Sequence, residues 1–189
     1  MDDKRTRILD VALEVLGQNP DSGMGDIASA AGVVRRTVYG YFPTRTDLVR
    51  TLAQRAVNEV TAVLTEVNAS ERAAEAVWVD FIARLWPLTN RYRVLLALRR
   101  GEYGEEIHAL LRPVDTTLAD LVQKGQDSQA FGRHLPAQVL SQIAYAAVFA
   151  IADSNRSGES LSARAATVTS LIILGVPEAR ARALADTRP

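Results

Sequence analysis

Two adjacent arginines and a threonine, Arg35-Arg36-Thr37, are the side chains of this sequence best suited to recognise another molecule. A guanidinium group can donate two parallel hydrogen bonds to O6 and N7 of guanine. Such contacts are made by residues at the start of a recognition helix in the DNA major groove. Groups at spacings suited to phosphate oxygens follow at Tyr39, Tyr41 and Arg45. The pattern predicts a duplex-DNA contact surface on a short helix.

The positive charge that such a surface needs is local. Between Val33 and Arg50 there are four arginines and one acid, Asp47. Residues 1–50 as a whole contain seven basic and seven acidic side chains, and the full chain has a formal net charge of zero. A basic patch of this kind is the electrostatic footprint of a nucleic-acid contact, whereas the charge of the whole chain favours no partner.

Three short helices are predicted to position these side chains. The first covers roughly residues 4–17 and ends at Gly17 and the Asn19-Pro20 breaker. The second carries an apolar stripe and ends at Gly32. The third, about residues 34–40, is stopped by Pro43. Two short helices joined by a turn of three to four residues match the helix-turn-helix unit.

The rest of the chain also shows helical periodicity, and the predicted fold is all-α. A capping box at Thr44 and Asp47 starts a helix that continues to about residue 68. A fifth predicted helix is capped by Ser70 and runs to Trp86, and a sixth runs from Pro87 to Arg100-Gly101. A seventh runs from about Gly104 to Ser128 and is kinked at Pro113. The last two cover about 136–155 and 160–175, with a turn at Ser154–Gly158 between them and a short tail after them.

Residues 23–49, GMGDIASAAGVVRRTVYGYFPTRTDLV, resemble the DNA-binding signature of TetR-family transcriptional repressors. The matching features are Ile27-Ala28, the Ala31-Gly32-Val33 turn, Thr37 with Tyr39, Phe42, the basic Arg45 and Leu48. The resemblance implies an N-terminal three-helix helix-turn-helix domain, residues 1–50, and a six-helix domain for effector binding and dimerisation, residues 51–189. It also implies a homodimer paired through the last two helices and a ligand pocket enclosed by the fourth to eighth.

Two residues depart from the family pattern. Gly23 stands where the family usually has a threonine or serine that caps the second helix, and Val34 stands where it usually has a serine that caps the third. A glycine cap costs a few tenths of a kcal/mol, but valine offers no hydrogen-bond acceptor, so the third helix loses about 1 kcal/mol of local stability. The predicted DNA-binding residues are Arg35, Arg36, Thr37, Tyr39, Gly40, Tyr41, Arg45 and Met24. Gly40 either lets a neighbouring backbone or a phosphate approach closely or ends the helix.

The last two predicted helices are apolar on more than one side. Apolar residues occupy every helical face in Ile143–Ala152 and nearly every face at Val168–Leu174. A chain of this size cannot cover all of these faces, so burial against a second copy is expected. A two-fold dimer would present two recognition helices to half-sites about 34 to 36 Å apart, which predicts a palindromic operator.

Aromatic side chains are the candidates for an effector pocket. They fall on helices that surround the pocket in the resembled family: Trp78, Phe81, Trp86, Tyr92, Tyr145 and Phe149. Aromatic residues at helical spacing also fill ordinary cores, so core packing stays an alternative for each. An aromatic-lined cavity suits an apolar or flat ligand. Asp80, Glu75 or Asp115 would counter a cationic ligand if one of them faced inward, and surface placement is the alternative for each.

The expected function is a ligand-responsive transcriptional repressor that a small-molecule effector releases from its operator; a helical ligand sensor or scaffold that no longer binds DNA is the alternative. Catalysis is not expected. Glu105 and His108 have the Glu-x-x-His spacing of di-iron bundles, but a second such motif is missing. No cofactor or metal is expected, since cysteine is absent and no phosphate-cradling loop occurs. The longest apolar run has ten residues, so we expect a cytoplasmic protein with no membrane partner.

Overall fold

The computed structural model describes residues 3–69, 72–99, 103–154 and 161–187. Within these ranges the only regular secondary structure is helical, as the sequence predicts. The helices are α1 (Asp3–Gln18), α2 (Met24–Ala30), α3 (Arg35–Tyr41), α4 (Arg45–Asn68), α5 (Ala74–Arg91), α6 (Arg93–Arg99), α7 (Gly104–Asp127), α8 (Ala137–Ser154), α9 (Ala163–Ile173) and α10 (Glu178–Asp186).

Local capping signals located the ends of several helices correctly. The backbone N–H of Thr44 donates to Asp47 Oδ2 at 3.0 Å, and the backbone N–H of Asp47 donates to Thr44 Oγ1 at 3.1 Å. This reciprocal pair is the predicted capping box, and it satisfies two N–H groups that the first turn of α4 would leave without partners. The predictions for α1, α4 and α7 are confirmed to within two residues.

The predicted helix break at Pro87 is wrong. Pro87 lies inside α5, which continues to Arg91, and α6 begins only at Arg93. A proline inside a helix loses one backbone hydrogen bond, but burial of Leu85 and Thr89 on either side of it keeps this segment helical. The kink predicted at Pro113 stays a prediction.

The C-terminal tail predicted from the sequence is a tenth helix, α10. It begins after Pro177, buries Ala181 and packs against α9. The Arg164 guanidinium of α9 makes two hydrogen bonds to the Asp186 carboxylate. This extra helix gives one more C-terminal helix than the six predicted. The predicted features at Ser70, at Arg100-Gly101 and at residues 155–158 lie outside the described residues.

The chain forms two compact units. Unit 1 consists of Met1–Asn58 with Arg91–Leu110, and unit 2 of Glu59–Asn90 with Leu111–Pro189. Both α4 and α7 contribute residues to each unit. The functional boundary predicted after residue 50 stays a prediction. In the part of the chain that the structure describes, no helix combines the length and the apolar character needed to cross a bilayer.

Each unit has its own buried core. In unit 1 the largest fully buried side chains are Ile8, Leu16, Ile27, Phe42, Leu48 and Leu52. In unit 2 they are Leu64, Trp78, Phe81, Ile82, Leu85 and Leu118. Unit 1 therefore holds α1, α2 and α3 together through aliphatic residues and one phenylalanine, which fixes α3 relative to its neighbours.

Candidate nucleic-acid interface

The turn between α2 and α3 closes as a Schellman motif. Gly32 has φ +66°, a left-handed conformation that glycine adopts without strain. The backbone N–H of Val33 donates to Ala28 O at 3.0 Å, and that of Gly32 donates to Ser29 O at 3.2 Å. These two bonds satisfy carbonyls at the end of α2 and set the direction in which the chain enters α3.

One face of α3 is anchored and the other is open. Val38 is fully buried, and Phe42 directly after the helix is buried as well. At 100° per residue, Arg36 and Gly40 each lie about 160° from Val38 around the helix axis. A Cβ atom added at Gly40 would meet no heavy atom within 4 Å. The outward face of α3 is therefore free for contact with a partner over the turn from Arg36 to Gly40.

The two arginines of α3 are not used inside the protein. Arg35 and Arg36 are exposed, and neither makes an ion pair or a side-chain hydrogen bond with any described residue. The Arg35 guanidinium lies over Gly25 of α2, where an added Cβ would be 2.5 Å from Nη2. Glycine at position 25 therefore leaves the space that this guanidinium occupies.

Tyr39 completes the open face, whereas Thr37 is only partly exposed. Tyr39 is 49% exposed, and Thr37 is half-buried with its backbone N–H donating to Val34 O at 2.9 Å. We call the exposed residues Arg35, Arg36, Tyr39 and Gly40 the α3 surface. It combines two cationic groups, a phenolic hydroxyl and an uncovered stretch of backbone, which suits phosphate and base-edge contacts. The structure thus brings half of the eight predicted DNA-binding residues together on one surface.

Three predicted contact residues are placed differently. Met24 is buried, so its side chain belongs to the core. Tyr41 is half-buried, with its ring 6.4 Å from that of Phe42. Arg45 points into unit 1, as its hydrogen bonds show. These placements do not support direct base or phosphate contacts by the Met24 or Arg45 side chains.

Arg45 ties three segments of unit 1 together. Its Nη1 donates to the Tyr103 hydroxyl at 2.8 Å, and its guanidinium lies 5.5 Å from the centre of that ring. Its Nε donates to Ser22 O at 3.3 Å, and its Nη2 donates to Pro20 O. The same side chain thereby fixes the loop before α2 to the residue that precedes α7. Sequence spacing gives no signal for a partner 58 residues away.

Ion pairs make further long-range links within unit 1. Arg50 of α4 pairs with Glu106 of α7, and the hydrogen bond and charge of Glu106 raise the pKa of Arg50. Arg55 and Arg91 both reach Asp10 of α1, at 2.8 and 3.2 Å. These links join the N-terminal helices to the 91–110 segment. Because Arg50 is used in an ion pair inside the protein, the number of arginines between Val33 and Arg50 overestimates the number that can contact DNA.

The third helix lacks a side-chain cap, as the sequence predicts. Val34 is the N-cap residue of α3 and makes no capping hydrogen bond. Gly23 caps α2 and also lacks a side chain that could accept, but its backbone N–H donates to Asp26 Oδ2 at 2.8 Å. The α2 terminus is therefore partly compensated, while the α3 terminus is not.

Unit 2 contains an aromatic cluster formed by four of the six predicted pocket residues and one that was missed: Trp78, Phe81, Tyr145, Phe149 and Phe131. Adjacent rings have centroid separations of 4.9 to 6.5 Å. Trp78 Nε1 donates to Ser170 Oγ at 3.0 Å. Phe131 occupies space over Gly125, where an added Cβ would be 2.0 Å from the ring. Glycine within α7 is thus the sequence feature that could have indicated this contact.

The remaining pocket candidates lie apart from this cluster. Trp86 is half-buried in unit 2 and has no ring contact with a described aromatic residue. Tyr92 belongs to unit 1, with the Arg91 guanidinium 5.4 Å from its ring centre. The buried Glu75 carboxylate accepts two hydrogen bonds from Arg180 at 2.7 and 2.8 Å, so its charge is already countered.

A second group of exposed apolar residues lies just before α8, on α8 and on α9, and the two helices pack against each other. Leu135, Val139 and Ile143 are spaced four residues apart, and Ile172 lies on α9; their exposures range from 37% to 44%. We call these four residues the α8/α9 apolar face. It contains every exposed large apolar side chain of the described chain except Val34 and Tyr39.

Comparisons with known proteins agree with this description. Residues 8–52 match the family model described as bacterial regulatory proteins, tetR family. The HTH-type transcriptional repressor LfrR of Mycolicibacterium smegmatis is 43% identical over 75 residues, which are 39% of this chain and 40% of LfrR. That alignment therefore spans about two fifths of the relative's length.

Similarity of fold extends over nearly the whole chain. The structure of the fatty acid degradation regulator FadR from Bacillus halodurans superimposes with a TM-score of 0.78 at 16% identity, covering 92% of this chain and 96% of FadR. The TetR-like regulator LfrR, solved in complex with proflavine, has a TM-score of 0.72 at 24% identity, covering 91% and 94%. At these identities the structures establish a common fold.

Proposed function

We propose that this chain, whose residues 8–52 match the family model of bacterial regulatory proteins, tetR family, is a transcriptional repressor. It binds a palindromic operator as a homodimer and leaves the operator when a small-molecule effector binds. The observation that carries the proposal is the α3 surface, on which Arg35 and Arg36 are exposed and have no partner among the described residues.

Duplex DNA supplies the groups that the α3 surface needs. Arg35 and Arg36 lie in the first turn of α3, from which recognition helices reach base edges. The open space at Gly40 allows a phosphate to approach the backbone. The alternative of a sensor without DNA binding leaves two adjacent, exposed and unpaired arginines on this face unexplained.

Dimerisation is supported by the α8/α9 apolar face. Three of its four large apolar side chains are spaced four residues apart, and an apolar stripe of this kind is covered when an identical stripe on a second copy packs against it. A two-fold dimer then carries two α3 surfaces. Operator half-sites about 34 to 36 Å apart would accept both of them.

The aromatic cluster of unit 2 supports an apolar or aromatic effector. Within this cluster Phe149 is half-buried, whereas Trp78 and Phe81 are fully buried. Proflavine, the ligand named for the LfrR structure, is an aromatic molecule, which makes this class a reasonable first choice. The effector acts by favouring a dimer conformation in which the two α3 helices no longer match the half-sites. Moving the population from 99:1 to 1:99 requires about 5.5 kcal/mol of differential affinity.

In vitro selection from a random duplex library tests the proposal. The purified chain should enrich an inverted repeat whose half-sites are one helical turn or a multiple of it apart. Sedimentation of the same protein at micromolar concentration should show a dimer. Enrichment of no sequence would favour the sensor without DNA binding, and a monomer that binds a single half-site would remove the palindromic operator.

A further inference from the structure

Val34 is the most exposed large apolar side chain among the described residues, at 69%. It is the N-cap residue of α3 and directly precedes Arg35 and Arg36. Its neighbour Val33 is half-buried, so only one valine of the pair contributes to the core. Val34 therefore lies at the tip of the α3 surface with its side chain in solvent.

Valine is unfavourable at this position of the free protein for two reasons. Serine, threonine, asparagine and aspartate stabilise a helix start because their oxygen accepts a backbone N–H, which valine cannot do. No side-chain hydrogen bond caps α3. The apolar surface of Val34 also remains in water. A partner that covers this side chain would offset the second of these costs, because it removes the apolar surface of Val34 from water.

The surroundings of Val34 restrict what that partner can be. The α8/α9 apolar face groups four large apolar residues and suits a second copy, whereas Val34 stands beside two exposed arginines. A partner must therefore combine anionic or hydrogen-bond-accepting groups with one small apolar group. In the major groove of DNA, the C5-methyl group of thymine is that apolar group, and it lies at the base edges that Arg35 and Arg36 would reach.

We propose that Val34 is a specificity-determining residue that contacts the C5-methyl group of one thymine in each operator half-site. The proposal rests on the proposed DNA-binding function, because it assigns one residue to the reading of the sequence that this function requires. It predicts that the protein distinguishes thymine from uracil at one position per half-site, although both bases pair identically with adenine.

Two substitutions separate the methyl contact from the helix cap. Val34→Thr keeps one γ-methyl group and adds a hydroxyl that can cap α3, whereas Val34→Ser adds the hydroxyl and removes both methyl groups. Each should raise the melting temperature by about 2 to 4 °C, since each restores the cap. A difference between the two variants in DNA binding therefore reports on the methyl group.

The experiment uses the full chain and the duplex that it enriches from a random library. Each thymine of the two half-sites is replaced in turn by deoxyuridine, and the Kd is measured by fluorescence anisotropy at one fixed salt concentration. For the wild type and for Val34→Thr, replacing one particular thymine in a single half-site should raise Kd about fourfold, the value of one buried methyl group. Replacing the equivalent thymine in both half-sites should raise Kd about fifteenfold. For Val34→Ser the same replacement should leave Kd unchanged.

The outcomes keep the two proposals apart. A duplex that is enriched and bound tightly, but in which no thymine replacement distinguishes wild type from Val34→Ser, overturns the role of Val34 and leaves the repressor proposal standing. The absence of any enriched duplex overturns the repressor proposal, and the role of Val34 with it.

Discussion

Different kinds of interaction stand out inside unit 1 and inside unit 2. In unit 1, long-range links run through arginine side chains at or near the surface, among them Arg45 to Tyr103 and Arg50 to Glu106. In unit 2, the central feature is a buried aromatic cluster whose Trp78 donates a hydrogen bond to Ser170. Exposed ion pairs contribute about 0 to 1 kcal/mol each, while burying a large aromatic side chain contributes several times more.

This difference suits the two tasks proposed for the units. In a DNA-binding unit whose loop before α2 is joined to the 91–110 segment by partly solvated links, that loop can adjust at small cost while the apolar core keeps α1, α2 and α3 in place. An effector-binding unit needs a core that keeps its shape while a ligand occupies part of it. Stability should therefore be most sensitive to mutation in unit 2, and DNA binding should be most sensitive in unit 1.

The largest effect on stability is expected from Trp78→Ala. It removes a fully buried indole and leaves Ser170 Oγ without the indole N–H, which should lower the free energy of unfolding by about 3 to 5 kcal/mol. Urea unfolding followed by circular dichroism measures the change. Trp78→Phe, which keeps a ring but loses the hydrogen bond, should cost less. A loss below about 1 kcal/mol in Trp78→Ala would contradict the central role given to the cluster.

Arg45→Ala should have an intermediate effect. Hydrogen bonds from a charged group contribute about 1.5 to 3 kcal/mol, and Arg45 makes bonds to two loop carbonyls and to Tyr103. We expect a destabilisation of about 2 kcal/mol and weaker operator binding, since the loop before α2 loses its anchor. Tyr103→Phe, which removes only the hydroxyl acceptor, is the milder matched variant.

The salt dependence of binding separates positioning by Arg45 from a phosphate contact. A positioning role leaves the slope of log K against log salt unchanged in Arg45→Ala, because no phosphate contact is lost. Loss of a phosphate contact would reduce that slope by about one for each protomer. The second result would restore the direct role that the sequence predicted for Arg45 and remove the one that its hydrogen bonds indicate.

Gly40→Ala should change stability and binding in opposite directions. A Cβ at this position meets no protein atom, and replacing glycine by alanine within a helix stabilises by about 0.5 to 1 kcal/mol. If a phosphate approaches the Gly40 backbone, the added methyl group lowers operator affinity. A melting temperature and a Kd from the same preparation are sufficient. Unchanged or tighter binding would show that DNA does not use the open space.

The smallest effect concerns pH. Burial disfavours the charged form of Asp80, but hydrogen bonds and charges from Arg72 and Arg84 outweigh it and lower the pKa of this carboxyl group. A lowered native pKa stabilises the fold above the ordinary value, and this contribution is lost as the pH falls below about 4. Asp80→Asn should therefore lose less stability than wild type between pH 5 and pH 3, by under about 1 kcal/mol. Identical acid unfolding curves would contradict the shift.

Local patterns in the sequence predicted most of the helices and turns, whereas contacts between distant residues could not be predicted from it. The Thr44–Asp47 capping box and the Gly32 turn were correctly predicted, since both depend on residues within a few positions of each other. The helix across Pro87 and the helix α10 were missed, because burial and partners from other parts of the chain determine them. For the candidate site, exposure of Arg35 and Arg36 agrees with the pattern, and the inward direction of Arg45 could not be read from it.

The most direct test of the account compares two exposed arginines that have no side-chain partner among the described residues. Arg36 lies on the α3 surface, and Arg112 lies on α7 in unit 2. With the duplex enriched from a random library, fluorescence anisotropy should show Kd rising at least about tenfold for Arg36→Ala, since a bidentate base contact contributes about 1 to 3 kcal/mol. Arg112→Ala should bind like wild type. Equal Kd values for Arg36→Ala and wild type would contradict the claim that α3 reads the operator.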